Sequence, residues 1–323
     1  MTKLERLILN SPPINLIRAC SKKVRLPGFE GFNLYEVYEQ LWSTIKKDGL
    51  SLRSASMSFN IILAIPAIFL FICSLLPYLP ISKQFFNALE SLVYDITPDH
   101  NTRRILSRFL NDIFIKQKTG LLSLGFVLTL FYSSNAVMGI IRALDKSIPN
   151  RAKTNFVKKR FRAIRLLLIL IVLVLGNLII SMGQGAVFAK IMTWLHIKDP
   201  SVKALIKNIR WVVIFLLFFY SLAFLYKYGP TIKKRNKLLT PGALIGSVLI
   251  ILTTSIFSYW AQNISTYNKF YGSIGSVMLI MLLVFYSSMM LLIGFEIDMS
   301  ILKLKQAKLD RKKMEEGQIQ TYY

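Results

Sequence analysis

Two histidines and two cysteines are the whole supply of imidazole and thiol chemistry in these 323 residues. His100 and His196 fall on different predicted hairpins, and neither belongs to an HxxxH or HxxE spacing that would aim two ligands from one helical face. Each reads as an ordinary loop residue. Cys20 precedes the first apolar run and Cys73 lies inside it, so no disulfide framework is expected. No catalytic residue, metal site or cofactor is expected from these types and spacings.

The remaining chemistry lies in polar residues embedded in apolar surroundings, where they are costly and call for a reason. Asn60 and Pro66 interrupt the first apolar run, where Pro66 frees the carbonyl of Ile62 and predicts a kink. Ser133, Ser134 and Asn135 interrupt the second, with Gly139 one turn on. Asn177, Ser181 and the SMGQG stretch around Gln184 mark the third, either as a helix end near water or as a partly unwound cavity lining. Gly272, Gly275 and Ser276 in the last run suit close helix contact. Glu296 adjoins the charge-free run from 270 to 295, with Arg142 or Lys227 as conceivable partners. As a functional group it could titrate or hold a gate; as a structural one it forms an ion pair at headgroup level. Asn60, Pro66, Asn135, Gln184, Tyr271 and Glu296 are the candidates for a pathway or gate, and helix packing is the plainer alternative for each.

Cations are plentiful: 41 Lys and Arg against 16 Asp and Glu give a net charge of +25. In a soluble chain that excess would suggest nucleic acid. Here it lies in short segments abutting apolar runs, where basic residues meet anionic headgroups at ~1 kcal/mol each. Arg142, Lys158, Lys159, Arg160, Arg162, Lys233, Lys234 and Arg235 are the candidate lipid-headgroup contacts, and nucleic acid is not an expected partner.

The elements that must position these groups are six charge-free intervals: 54–82, 119–141, 166–189, 211–226, 238–268 and 270–295. A helix needs ~20 apolar residues to cross the hydrocarbon, and five intervals reach that length. The fourth has 16 uncharged residues, but Arg210 and Lys227 at its ends can snorkel. A hydrophobic fraction of 54% and a mean hydropathy of +0.48 favour one polytopic bundle. RLLLILIVLVLG from 165 lacks the alternation of barrel strands, so the expected fold is all-α, with spans near 57–80, 120–141, 165–189, 209–228, 240–261 and 273–297. Of the 41 Lys and Arg, 29 lie in the first tail, the 142–165 and 227–237 loops and the last tail. The positive-inside rule then puts both termini in the cytoplasm and the 81–119 loop outside. The first apolar run is too long for a secretory signal and reads as an anchor.

Outside the spans, Leu34, Val37, Tyr38, Leu41, Trp42 and Ile45 draw one apolar stripe, predicting a helix that lies in the inner headgroup layer or packs on the bundle. Two amphipathic helices are expected in the outer loop, around Phe85–Val93 and Arg103–Phe114. The domain plan is a cytoplasmic tail over 1–56, a six-helix domain over 57–298 and a basic cytoplasmic tail over 299–323.

RSASMSFNIILAIPAIFLFICSLLPYLPI from 53, GLLSLGFVLTLFYSSNAVMGII from 120, LYKYGP from 225, TPGALIG from 240 and YNKFYGSIGSVMLIMLLVFYSSMMLLIGFEID from 267 occur in that order. Together they resemble the YihY/virulence factor BrkB family of bacterial inner-membrane proteins. The resemblance implies six spans and cytoplasmic termini. It also carries several labels: ribonuclease BN, serum resistance, and movement of lipids or lipopolysaccharide precursors. The family's last-helix motif reads Gly, small or aromatic, Glu, Leu, Asn; Gly294, Phe295 and Glu296 match, while Ile297 and Asp298 depart. Asp145 likewise stands where the family has Asn, so an amide-specific role is in doubt at both positions.

Phosphodiester hydrolysis asks for clustered carboxylates or a histidine pair, and the 142–165 loop has Asp145 alone. A nuclease is therefore the third reading. The expected function is transport or translocation of an amphipathic, lipid-like envelope substrate at the bacterial inner membrane, with a non-transporting envelope scaffold as the alternative. Membrane lipids are the expected partners, together with a homo-oligomer or envelope-assembly proteins. No GxxxxGK motif followed by Ser or Thr is present to bind ATP.

Overall fold

The computed structural model describes residues 28–75, 104, 107–108, 119–148, 155–182, 200–231, 238–263 and 265–321. Seven helices account for nearly all of them: α1 (Leu34–Asp48), α2 (Leu50–Leu75), α3 (Thr119–Asp145), α4 (Phe156–Met182), α5 (Pro200–Tyr228), α6 (Pro241–Asn263) and α7 (Ser265–Thr321). Among the described residues four stretches are long and apolar enough to cross a membrane: Leu50–Phe71, Ser123–Asp145, Pro241–Trp260 and Val277–Lys312. The expected span 209–228 falls on α5, whose apolar stretch Val212–Tyr228 is shorter, and the expected span 165–189 overlaps α4. Of the outer-loop helices only Arg104, Ser107 and Arg108 are described, and these are helical; His100, His196, Gln184, Lys233, Lys234 and Arg235 lie outside the described residues.

Several helices run on from the apolar intervals into the charged flanks, whereas α6 stays within its interval. α4 opens within the basic segment at Phe156, and α2 opens at Leu50, which brings Arg53 inside the helix. α7 is 57 residues long and passes position 297 without a break, so much of the expected C-terminal tail is helical. The segment 299–321 has no Pro and a single Gly, Gly317, near its end, and it is dominated by the good helix formers Lys, Leu, Gln, Ala, Met and Glu.

The starts and stops that matter are legible in chemistry. Gly49 adopts the left-handed conformation at φ 60° between α1 and α2, which a side chain would resist. Gly229 and Pro230 follow the last residue of α5 and stop it. At α6, Thr240 Oγ1 accepts the N–H of Ala243 at 3.3 Å, and Pro241 occupies the first helical position, where its missing N–H has no cost.

The chain divides into two compact units, residues 58–139 and the remainder. In the 58–139 unit, α2 and α3 pack antiparallel. Gly139 approaches Asn60 so closely that an added Cβ would lie 3.1 Å from the Asn60 side chain, while Gly125 faces Leu70 and Phe71. Thr129 donates to the Ala67 carbonyl at 2.6 Å, and Phe71 tilts against Phe126 at 5.6 Å between centroids. Pro66 lies within α2 without ending it.

In the other unit, α6 and α7 form the closest pair. α1 and the turn before it lie against α7 through Phe29, Val37, Ile297 and Ile301, which are buried together, with Leu41 and Leu304 packed beside them. The predicted stripe on α1 is therefore divided: Val37 and Leu41 face protein, whereas Tyr38 and Trp42 are exposed and stack on each other at 6.3 Å.

Candidate functional site

Three acids next to apolar helices each have a specific destination, all in the same unit. Glu296 of α7 and Arg53 of α2 form a buried ion pair, Nη1 to Oε1 at 2.7 Å, with neither residue more than 4% exposed. Arg53 also donates through Nε and Nη2 to the carbonyl of Ala143, at 3.1 and 2.6 Å. That carbonyl belongs to the last turn of α3, where helix carbonyls lack partners and the dipole favours a cation. Ser147, just past α3, accepts from Arg53 Nη2 and donates to Glu296 Oε1. Glu296 Oε2 is buried with no hydrogen-bond partner among the described residues. One guanidinium thus holds the start of α2, the end of α3 and the middle of α7 together.

Asp298, two residues on, accepts the Gly242 N–H at 2.8 Å. Gly242 is in the first turn of α6, so the carboxylate occupies the positive end of that helix. Asp145, at the end of α3, accepts from Thr231 twice: the N–H at 2.7 Å to Oδ1 and the hydroxyl at 3.0 Å to Oδ2. Arg162 of α4 donates to the same Thr231 hydroxyl oxygen at 2.9 Å. At both positions where the resemblance implies an amide, the acid serves as a hydrogen-bond acceptor.

Tyr226 of α5 closes this layer. It is buried, its hydroxyl donates to the Leu291 carbonyl at 2.5 Å, and its ring meets Phe295 edge-on at 5.4 Å. Beneath it α6 and α7 touch backbone to backbone. A Cβ on Gly294 would lie 2.7 Å from the Gly242 carbonyl and 2.8 Å from the Gly246 Cα, and one on Gly242 would run into the Gly294 carbonyl. Small residues four apart permit this approach.

Several expectations are corrected here. Neither Arg142 nor Lys227 pairs with Glu296: Arg142 is exposed, and the Lys227 ammonium lies 5.4 Å from the Tyr228 ring. Arg53 takes the role because α2 begins three residues before it and turns its side chain inward. The described small-residue crossing uses Gly242, Gly246 and Gly294; of the expected Gly272, Gly275 and Ser276, only Gly275 has a described side-chain environment, and it is buried. Asn60, Pro66 and Asn135 belong to the 58–139 unit and Glu296 to the other; Tyr271 lies in α7. Among the candidate headgroup contacts, Arg142 and Lys158 are exposed, and Lys159, Arg160 and Arg162 are half-buried. Sequence reasoning missed Arg53, Ser147 and Tyr226. The Gly242-to-Gly246 spacing was the one signal that could have located the crossing. Among the described residues no group of three His, Cys, Asp or Glu is placed to hold a metal ion.

Long apolar helices, tied near their ends by buried charge and joined at a glycine crossing, define a multi-span α-helical membrane protein. Residues 41–319 match the family described as Virulence factor BrkB, and the chain belongs to that family. It is 25% identical over 263 residues to the ribonuclease-like protein YfkH of Bacillus subtilis, covering 79% of this chain and 90% of that one. It is 21% identical over 260 residues to a UPF0761 membrane protein of Tolumonas auensis, covering 79% of this chain and 82% of the relative. A UPF0761 membrane protein of Verminephrobacter eiseniae is 23% identical over 262 residues, 79% of this chain and 60% of the relative. No solved structure matches.

Proposed function

We propose that this protein moves an amphipathic, lipid-like envelope substrate across the bacterial inner membrane, through six crossings with both termini in the cytoplasm, and that Arg53 and Glu296 close its cytoplasmic end. The buried ion pair is the observation that carries this reading. As a stabilising device such a pair is poor, because well-packed apolar residues of similar volume often serve equally well or better. As a switch it is apt, since charges held between three helices can be separated and rejoined. Basic segments at the same level, above all 158–165, supply attraction for phosphate-bearing headgroups. The ribonuclease-like name of one relative has no clustered carboxylates to support it among the described residues of this chain.

Reconstitution into liposomes with fluorescent lipids tests the proposal. The wild-type chain should accelerate exchange between leaflets, and the paired replacement Arg53→Met with Glu296→Leu should slow it while leaving the melting temperature in place. If wild-type protein exchanges none of several headgroup classes, the envelope-scaffold reading replaces this one. If the double variant exchanges at the wild-type rate, the ion pair is structural only.

A further inference from the structure

A second group of cations, distinct from the Arg53 pair, gathers where α4 meets the end of α5. Arg162 reaches Thr231 through Nη1 at 2.9 Å, Arg165 lies over the Tyr228 ring at 6.0 Å, and Lys227 lies over the same ring at 5.4 Å. Tyr228 and Thr231 therefore tie three positive charges to one corner. Among the described residues none of these cations forms an ion pair with a carboxylate, and the nearby acid, Asp145, has both its oxygens engaged by Thr231. Thr231 is itself fixed by Asp145, which holds Arg162 in place through the shared hydroxyl and leaves the corner with three cations against one carboxylate.

The position of this corner is as telling as its charge. Arg165 is followed at once by the apolar run of α4, and Lys227 ends the apolar stretch of α5. Alongside, Leu168, Ile171, Val172 and Leu175 of α4 present exposed apolar side chains. Cations with unspent donors over an exposed hydrocarbon face complement a ligand with a phosphate at one end and acyl chains at the other.

We infer that Arg162, Arg165 and Lys227 form a binding site for a phosphate group carried on a lipid headgroup, with the acyl chains lying along α4. This deepens the lipid-moving reading and names the chemical class it would recognise. Arg162 is the most constrained of the three and still has N–H donors beyond the one engaged by Thr231. Arg165 and Lys227, both within 6.0 Å of the Tyr228 ring, supply the other two cations for the phosphate oxygens.

Full-length protein in detergent, titrated with short-chain phosphatidic acid and with phosphatidylcholine and followed by native mass spectrometry, provides the test. Phosphatidic acid should bind in preference, and the combined variant Arg162→Gln, Arg165→Gln, Lys227→Gln should weaken it about tenfold or more. A control with equal loss of charge far along α7, Lys308→Gln, Arg311→Gln and Lys312→Gln, should retain wild-type binding. Equal loss in both variants would mean diffuse surface attraction and overturn the site, as would no loss in the first. Displacement of the lipid by inorganic phosphate at matching concentration would overturn the lipid source of the phosphate. The folded state of the first variant is checked by its melting temperature, and the single variant Arg165→Gln, an exposed position, should show the same direction of effect. Because binding is read without transport, loss of the site with leaflet exchange intact would reject this inference and leave the functional reading standing.

Discussion

Arg53 and Glu296 are separated by 243 positions in the chain and by 2.7 Å in space. Each is the other's charge partner in surroundings with almost no access to water, so neither can be lost alone without stranding a charge. Removing one partner of such a pair costs about 3–5 kcal/mol. Glu296→Leu and Arg53→Met should each lower the melting temperature sharply in detergent, whereas the two together should return it close to the wild-type value. A double-mutant cycle by thermal melting checks this, and additive effects would refute the coupling.

The α6–α7 crossing should not accept a methyl group. Gly294→Ala would bring a Cβ 2.6 Å from the Tyr226 hydroxyl and 2.7 Å from the Gly242 carbonyl, both held by packed neighbours. A loss of about 1–3 kcal/mol is expected, as for other overpacked cores. Gly176→Ala in α4 is the control: an added Cβ meets nothing within 4 Å, and stability should hold or rise.

Asp145 and Asp298 should respond differently to their amides. Asp145 accepts through both oxygens, and an amide keeps only one acceptor, so Asp145→Asn should cost about 1 kcal/mol or more. Asp298→Asn can still accept the Gly242 N–H and should be milder than Asp298→Ala, which leaves that buried N–H without its acceptor. Comparing the four melting temperatures decides it.

Tyr226 combines a hydroxyl and a ring with separable contributions. Tyr226→Phe removes the bond to the Leu291 carbonyl and should cost about 1 kcal/mol, while Tyr226→Ala also opens a cavity against Phe295 and should cost about 3–5 kcal/mol. Equal effects would show that the ring contributes little.

Helix type was legible because long apolar runs admit few alternatives in lipid: Ser123–Asp145 and Pro241–Trp260 fall close to the expected 120–141 and 240–261, whereas Leu50–Phe71 begins well before the expected 57–80. Pro241 and the Gly229-Pro230 pair marked real boundaries for local reasons. The site was less legible. Glu296 stood out as an acid beside an apolar run, but several cations border such runs, and nothing in one sequence says which helix turns its cation inward. Arg53 was hidden by lying at the edge of an interval defined by the absence of charge. The glycine crossing was half-visible, since spacing on α6 shows a small-residue face without revealing that its counterpart is Gly294 rather than the glycines at 272 and 275.

α7 is the feature with the widest mechanical meaning. At 1.5 Å per residue its 57 residues extend about 85 Å, against a hydrocarbon layer of about 30 Å. Its length therefore exceeds that layer more than twofold, and its C-terminal half is tied to the N-terminal segment by Lys305 with Glu30 and Lys303 with Thr44. A small change of slope inside the bilayer would sweep that far end sideways and drag α1 with it.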